Sequence, residues 1–437
     1  MKKKTGALTG ILAVLLAAGL FIVVSPARAI EYGTQKLSSP KAFNVEAGSR
    51  SVDLRWSESN SGGTSEYRVV RSTDGAMTMP WQGQLVFEGW DFHYQDTNLE
   101  NGQLYYYTVF ALDDERNYSA GVTRQIIPNV PKIITVPEMY GHVWVKGFSG
   151  LDGSSRTPHF MAFGLNANNG GYVAAGDVDG DGKDEIVVGA RFGAPQVRVF
   201  EQDGSLKHQF YSYASGARFG TKVAVGDVNR DGRDEIVTAP GYYAPAHIRV
   251  FKEDGMLASG GFFAYPASHN REGVSIALGD TDGDGADEIV VGDRRALNTN
   301  EVQIFEYWGQ RKKSITGLYG GAKVGIKVAT GDTDGDGVDE VICGPTVGGG
   351  PLVQIVEPET GRVTRSFFAF NKNLRTGANV AAYDIDSDTI DEVIVATGEG
   401  SVAHVRAFEA DGTSEPVNFF PYGPGFRGGA MVAAGNL

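Results

Sequence analysis

Downstream of residue 130 the chain alternates apolar and polar residues in short runs such as GYVAAG, EIVVGA and QVRVF, bounded by Gly, Pro, Asn or Asp. Period-two alternation over so few residues predicts half-buried β-strands. No long stretch beyond the N-terminal segment places apolar residues at helical spacing. The runs come in sets of four. A first strand (GGYVAAG, GTKVAVG, GVSIALG, GIKVATG, GANVAAY) enters a strongly acidic loop, and a second strand of the EIVVGA type leaves it. A Gly/Pro-rich turn leads to a third strand (QVRVF, HIRVF, VQIF, LVQIV, HVRAF). A fourth ends in aromatics (HQFYSY, GGFFAY, SFFAF, NFFPY).

The acidic loops begin at Asp177, Asp227, Asp280, Asp332 and Asp384, and self-similarity at this period predicts a repeat fold. Four antiparallel strands in about fifty residues describe one blade of a β-propeller. The segment KIITVPEMYGHVWVKGFSGLDG (132–153) aligns with the second and third strands of a unit, and RTPHFMAF supplies a fourth. The missing first strand is GGAMVAAGNL at the C-terminus. The expectation is an all-β chain in which residues 132–437 form a six-bladed propeller, closed by N-terminal strands and the C-terminal strand. The closing blade stops at Asn436 and Leu437 and has no acidic loop.

Residues 36–128 follow another rhythm. Seven short runs (KAFNVEA, SVDLRWSE, EYRVVRST, GQLVFEG, FHYQDTN, LYYYTVFALD, YSAGVTRQI) separated by Gly, Asn, Ser and Asp predict a β-sandwich, with Trp56 and Tyr67 facing inward. The stretch VPKI (130–133) reads as a short linker into the ring.

The N-terminus carries Lys2, Lys3 and Lys4, an uncharged run from Thr5 to Val24, and an Ala27-Arg28-Ala29 site. Residues 1–29 therefore read as a signal peptide, or as an N-terminal membrane anchor with the lysines inside. Either places the rest outside the cytoplasm, secreted or at the cell surface. The formal charge of −14 disfavours nucleic acid and anionic membrane surfaces as partners. The single cysteine, Cys343, leaves no internal disulfide and sits at an apolar strand position, so something else must secure the fold.

The acidic loops supply a candidate. Numbered from its first Asp, each has an oxygen-bearing side chain at positions 1, 3, 5 and 9. Gly at 6 permits a backbone turn that brings the carbonyl of position 7 alongside. The candidate ligands are Asp177, Asp179, Asp181, Lys183 (carbonyl) and Glu185 in the first loop, and Asp227, Asn229, Asp231, Arg233 (carbonyl) and Glu235 in the second. The third offers Asp280, Asp282, Asp284, Ala286 (carbonyl) and Glu288; the fourth, Asp332, Asp334, Asp336, Val338 (carbonyl) and Glu340. The fifth offers Asp384, Asp386, Asp388, Ile390 (carbonyl) and Glu392, with Thr389 where Gly belongs, and is the weakest candidate. Position 8 is Asp throughout and faces away from position 9, as a reserve ligand or turn-former.

Two like charges about 4 Å apart repel by roughly 1 kcal/mol in bulk water and by several times more near a protein surface. A divalent cation converts that repulsion into attraction. Oxygen-only ligands in flexible geometry favour Ca²⁺ over Mg²⁺, up to five ions in all. The loops then read as staples between first and second strands.

Other features have plainer readings. His142, His247 and His404 occupy equivalent positions in different units and read as a repeat echo rather than a metal cluster. The aromatics that end the fourth strands are expected to pack between blades. No Ser/His/Asp order, nucleophile elbow, zinc-protease helix or phosphate-cradling Gly loop is present.

The N-terminal sandwich resembles a fibronectin type III domain, on Trp56 and on LENGQLYYYTVFALD, in which Leu99, Gly102 and Tyr105 match the structural signature and Tyr105 falls at the tyrosine corner. The fifty-residue units resemble FG-GAP repeats, the VCBS-type bacterial relatives of integrin α-chain propeller repeats. RFGTKVAVGDVNRDGRDEIVTA (218–239) is the unit nearest that pattern. The resemblance implies calcium at positions 1, 3, 5, 7 and 9 and an adhesive role. The expected function is a non-catalytic, extracytoplasmic, calcium-binding adhesion or ligand-binding protein. It would act as a monomer, binding an extracellular protein or carbohydrate through loops on one ring face. A polysaccharide-active enzyme on a propeller scaffold and a structural cell-surface stalk component are the alternatives.

Overall fold

The computed structural model describes residues 37–437 apart from 49, 60–63, 65, 101–102, 127, 129–130, 166, 168, 267–272, 295–299 and 387. The N-terminal segment 1–29, Gly102 and the start of the linker at Val130 lie outside the described residues. The chain is all-β, with one short 3-10 turn, Leu318–Gly321, among the described residues.

The N-terminal unit consists of two sheets. Strands Lys41–Gly48, Ser51–Ser57 and His93–Asp96 form one; Gln84–Gly89, Glu66–Ser72, Tyr105–Leu112 and Val122–Ile126 form the other. Alternate residues of both meet in one core containing Phe43, Leu54, Trp56, Tyr67, Val69 and Tyr107. Trp56 and Tyr67 thus face inward, as their strand positions require. The Tyr105 hydroxyl accepts the Glu100 N–H at 3.0 Å, tying the strand to the backbone just before it. A buried polar bridge joins the sheets: Arg71 pairs with Asp96 at 2.7 Å, and the Tyr107 hydroxyl donates to the same carboxylate at 2.8 Å.

Residues 132–437 build six four-stranded antiparallel sheets. Five are continuous in sequence and are numbered here in chain order. Their first strands are Gly171–Gly176, Thr221–Gly226, Val274–Gly279, Ile326–Gly331 and Ala378–Tyr383. The sixth, the closing sheet, is composite. The C-terminal strand Ala430–Gly435 pairs with Lys132–Pro137, in a register running from Ala430 opposite Pro137 to Gly435 opposite Lys132. Trp144–Ser149 and Ser155–Met161 complete it. The clasp expected from the repeat alignment is therefore present.

The six first strands lie side by side in cyclic order, Ala430–Gly435 returning to Gly171–Gly176. Together they line a central cavity of about 180 Å³. Five of the aromatics at the ends of the fourth strands pack between sheets, as expected, while Phe263, Phe368 and Phe420 are exposed. Phe160 of the closing sheet meets Phe200 of the first at 4.6 Å, Phe210 meets Phe251 of the second at 5.0 Å, and Phe262 meets Phe305 of the third at 4.9 Å. Phe367 meets Phe408 at 5.0 Å, and Phe419 stacks on Phe148 of the closing sheet at 4.1 Å. His247 and His404 stack on Phe263 and Phe420 of their own sheets and do not converge. Cys343 is buried in the core, and burial pushes its thiol up to about 12, which keeps it protonated and inert.

Candidate metal centres

Each acidic loop joins the first and second strands of its sheet, and over the described residues all five follow the same turn. The first Asp organises it by accepting backbone N–H groups. Asp177 takes those of Gly180 at 2.7 Å and Gly182 at 2.8 Å; Asp332 takes those of Gly335 at 2.7 Å and Gly337 at 2.9 Å. Asp227 and Asp280 hold Gly232 at 3.0 Å and Gly285 at 2.7 Å in the same way. Position 5 accepts the N–H of position 7: Asp181 from Lys183, Asp231 from Arg233, Asp284 from Ala286, Asp336 from Val338 and Asp388 from Ile390, at 2.9 to 3.1 Å.

The turn needs a left-handed residue at position 6, where Gly182, Gly232, Gly285 and Gly337 have φ of 80–87°. Thr389 takes that conformation too, with φ 78°, and its N–H reaches Asp384 at 3.1 Å. At position 6 of the fifth loop the threonine therefore does what glycine does in the other four.

The position-9 glutamates are buried and turned back into the loops. One oxygen accepts the position-2 N–H, at 3.2 Å for Glu185, 3.0 Å for Glu288, 2.9 Å for Glu340 and 2.8 Å for Glu392. In four loops three carboxylates converge, one oxygen from each lying within 4.8 Å of the others. These are Asp177, Asp179 and Glu185; Asp280, Asp282 and Glu288; Asp332, Asp334 and Asp336; and Asp384, Asp386 and Glu392. In the second loop the Asn229 side-chain amide is placed to donate to Glu235 at 2.6 Å. Turning that amide over would present its oxygen instead.

Two buried glutamate oxygens, Glu235 Oε2 of the second loop and Glu392 Oε1 of the fifth, have no hydrogen-bond partner among the described residues, and of these Glu392, 0% exposed, belongs to a convergent set. A buried carboxylate oxygen left bare is costly, and a divalent ion between it and Asp384 and Asp386 would satisfy it. In the first and third loops the corresponding oxygen already has a cation. Lys207 Nζ lies 3.1 Å from Glu185 Oε1 and also contacts Asp179, while Lys312 Nζ lies 2.9 Å from Glu288 Oε1 and contacts Asp282. Asp284 of the third loop is further engaged by Arg230 of the second.

The position-8 aspartates do not join these centres. They turn to the neighbouring sheet instead. Asp184 Oδ2 accepts the Asn436 N–H at 2.8 Å while its own N–H donates to Asn436 O at 3.1 Å. Asp391 does the same with Asp332, at 3.2 and 2.8 Å. The N–H groups of Asp234, Asp287 and Asp339 donate to the carbonyls of Asp177, Asp227 and Asp280 at 2.9, 3.0 and 2.8 Å. Position 8 is thus an inter-sheet latch at five junctions, correcting the expectation of a reserve ligand or turn-former.

The latch explains the glycine that ends most first strands. A Cβ on Gly226 would stand 2.1 Å from Asp287 Oδ2 and 2.9 Å from Leu278 Cβ. Gly226→Ala is expected to destabilise the protein by about 1–3 kcal/mol through overpacking, read as a lowered urea midpoint at unchanged slope. An unchanged midpoint would remove the latch.

Burial pushes the latch carboxyls up, to about 6 for Asp184, about 7 for Asp234, Asp339 and Asp391, and about 8 for Asp287. It does the same for Glu185 and Glu235, to about 7, and for Glu392, to about 8. The folded chain therefore keeps protons that an unfolded carboxyl releases near pH ~4. That stabilisation is complete below the unfolded value and is lost as pH rises through the folded values. With calcium chelated throughout, stability is expected to fall from about pH 5 to about pH 8. A urea midpoint that stays level or rises over that range contradicts the assignment.

A second charged cluster sits at the other end of the first strands, against the central cavity. Glu138, just after the closing sheet's Lys132–Pro137 strand, is the one carboxylate among the described residues lining that cavity. It meets Lys327 Nζ of the fourth sheet at 3.1 Å and Arg191 of the first at 3.5 Å. It also accepts from the Asn379 side chain at 2.9 Å and the Glu399 N–H at 3.0 Å, both of the fifth sheet. Burial opposes its charge, but the Lys327 ammonium and Arg191 guanidinium hold its carboxyl down at about 2. Lys222 and Arg294 complete the lining's positive groups. The sequence held a signal for this cluster. Lys222, Lys327 and Asn379 are polar intrusions at one column of otherwise apolar first strands.

Residues 177–238 match the model of the FG-GAP-like repeat family. No curated protein matches the chain. Among solved structures, similar chains include the rhamnogalacturonan lyase PL11 of Bacillus licheniformis, at 14% identity over 89% of this chain and 83% of that one, with a TM-score of 0.34. The V. cholerae biofilm matrix protein Bap1 is 14% identical over 85% and 83%, also at 0.34. A quinonprotein alcohol dehydrogenase-like protein of Bacteroides thetaiotaomicron is 8% identical over 90% and 98%, at 0.35.

Proposed function

We propose that the six cyclically arranged sheets are the blades of a six-bladed, FG-GAP-type propeller stapled by calcium. On this reading residues 132–437 are the propeller, 36–128 a fibronectin type III-like spacer, and 1–29 the signal or anchor that delivers both outside the cytoplasm. The protein is a non-catalytic adhesion or ligand-binding protein, and its partner is an extracellular protein or carbohydrate.

The observation that carries this reading is the recurrence of three converging carboxylates at the same turn of four sheets. Where a buried glutamate joins the cluster, in the first, third and fifth sheets, like charges held so close call for a cation; Lys207 and Lys312 provide one in the first and third, and the fifth has none among the described residues. The match of residues 177–238 to the FG-GAP-like family supports the calcium assignment. The Tyr105 hydroxyl's bond to the Glu100 backbone supports the fibronectin-type sandwich. The non-catalytic reading draws support from Glu138, whose carboxylate is locked in ion pairs rather than poised to exchange a proton.

A glycan and surface-protein binding array, run once in calcium and once in chelator, tests the proposal. Binding to a ligand on the array that disappears with chelator supports it. Turnover of an arrayed polysaccharide, or self-assembly with no ligand bound, overturns it in favour of the enzyme or the stalk.

A further inference from the structure

Lys207 and Lys312 occupy one structural position. Each is the extra residue of a β-bulge on the fourth strand of its sheet: the register slips between Val199–His208 and Phe200–Leu206 in the first sheet, and between Ile304–Lys313 and Phe305–Arg311 in the third. A bulge re-aims the side chain it carries. Here it sends the ammonium under the acidic loop. Lys207 Nζ meets Asp179, Glu185 at 3.1 Å and Glu201 at 3.4 Å; Lys312 Nζ meets Asp282, Glu288 at 2.9 Å and Glu306 at 3.2 Å. In both loops two of the three convergent carboxylates are already bridged by a positive charge.

The same bulge position holds Ala258 in the second sheet and Thr364 in the fourth; in the fifth the register slips by two residues, and Glu415 lies within the slip. None of these supplies a cation. Lys252 borders the mouth of the second loop with Asp231 and Glu235, with no ion pair to either among the described residues. In the fifth sheet the sign is reversed: Glu415 adds a carboxylate where the first and third sheets have an ammonium. Glu392 Oε1 of that sheet's loop, like Glu235 Oε2 of the second, has no hydrogen-bond partner among the described residues.

We propose that Lys207 and Lys312 are tethered cations that replace calcium in the first and third loops, so that the chain binds three calcium ions, in the loops beginning at Asp227, Asp332 and Asp384. The inference rests on reading the loops as calcium sites, and it narrows five sites to three. A calcium ion needs its oxygens at about 2.3–2.6 Å. In the two lysine loops it would have to displace an ammonium held by three carboxylates, or share them with it against direct repulsion. A lysine also has the advantage of permanence: being part of the chain, it is present whatever the calcium concentration. Two sheets are thereby pinned constitutively and three conditionally.

The test is the number of ions bound by the full chain, measured by calcium titration calorimetry and by elemental analysis after dialysis against calcium. The wild type is expected to bind three. Lys207→Met with Lys312→Met frees two carboxylate sets and is expected to raise the number to five. Thr364→Lys installs the ammonium in the fourth sheet and is expected to lower it to two, which keeps the test sound should the double variant fold poorly. Five ions on the wild type, or a Thr364→Lys variant that still binds three, overturns the inference while leaving calcium binding intact. No ions on any of the proteins overturns the calcium reading itself, and the inference with it.

Discussion

Removing calcium is expected to lower the melting temperature of the whole ring, not of one loop. A site with Kd of about 10⁻⁴ M in about 1 mM calcium stabilises the fold by roughly 1.4 kcal/mol. Three such sites, far apart around a ring, add to about 4 kcal/mol. For a domain of this size that is a fall of roughly 5–10 °C on adding chelator. The loss should be cooperative, because each loop lies next to a latch. Asp391, which binds the neighbouring Asp332 backbone, is followed directly by Glu392 of the fifth loop's own cluster. Loosening one loop therefore loosens a junction between sheets. Magnesium should restore little, since it demands a tighter octahedral set than these turns offer. Superimposable melting curves in calcium and in chelator would refute the staple.

The other large effect is expected at Glu138. Its carboxylate joins four sheets at once: it lies at the end of a closing-sheet strand and holds Arg191 of the first, Lys327 of the fourth, and Asn379 and the Glu399 N–H of the fifth. Glu138→Ala would leave the Lys327 ammonium buried beside Lys222 and Arg294 without its counter-charge, and Arg191 with only its 3.0 Å pair to Glu399. Removing one partner of a buried ion pair costs about 3–5 kcal/mol, so this variant should lose about as much stability as the wild type loses with its calcium. The loss should survive saturating calcium, because the cluster lies at the opposite end of the first strands from the acidic loops. Adding Lys327→Met to Glu138→Ala should recover part of it. A double variant no better than the single one contradicts the ion-pair account.

These effects differ in how far the chain's letters announced them. Alternation exposed the strands because a sheet with one buried face imposes period two, and the clasp followed from counting three strands at one end and one at the other. The acidic loops were legible for the same local reason: spacing along nine residues decides which oxygens can converge. Partners across the ring were not legible. Asp184 and Asp391 look like two more loop carboxylates until their neighbouring sheets are in place, and the bulge that turns Lys207 and Lys312 under the loops leaves no mark in the pattern of apolar residues. Thr389 shows the limit of reading glycine from sequence: the fold holds a residue rare in the left-handed region at φ 78°, and Glu392 Oε1 of that loop, like Glu235 Oε2 of the second, has no hydrogen-bond partner among the described residues.

The most direct test of the central claim is an anomalous difference map from crystals grown in calcium. Peaks in the loops beginning at Asp227, Asp332 and Asp384, each about 2.3–2.6 Å from several carboxylate oxygens, with Glu392 Oε1 among them in the last, are the result this account predicts. Empty loops, with Asp384, Asp386 and Glu392 turned apart toward solvent at saturating calcium, would contradict it.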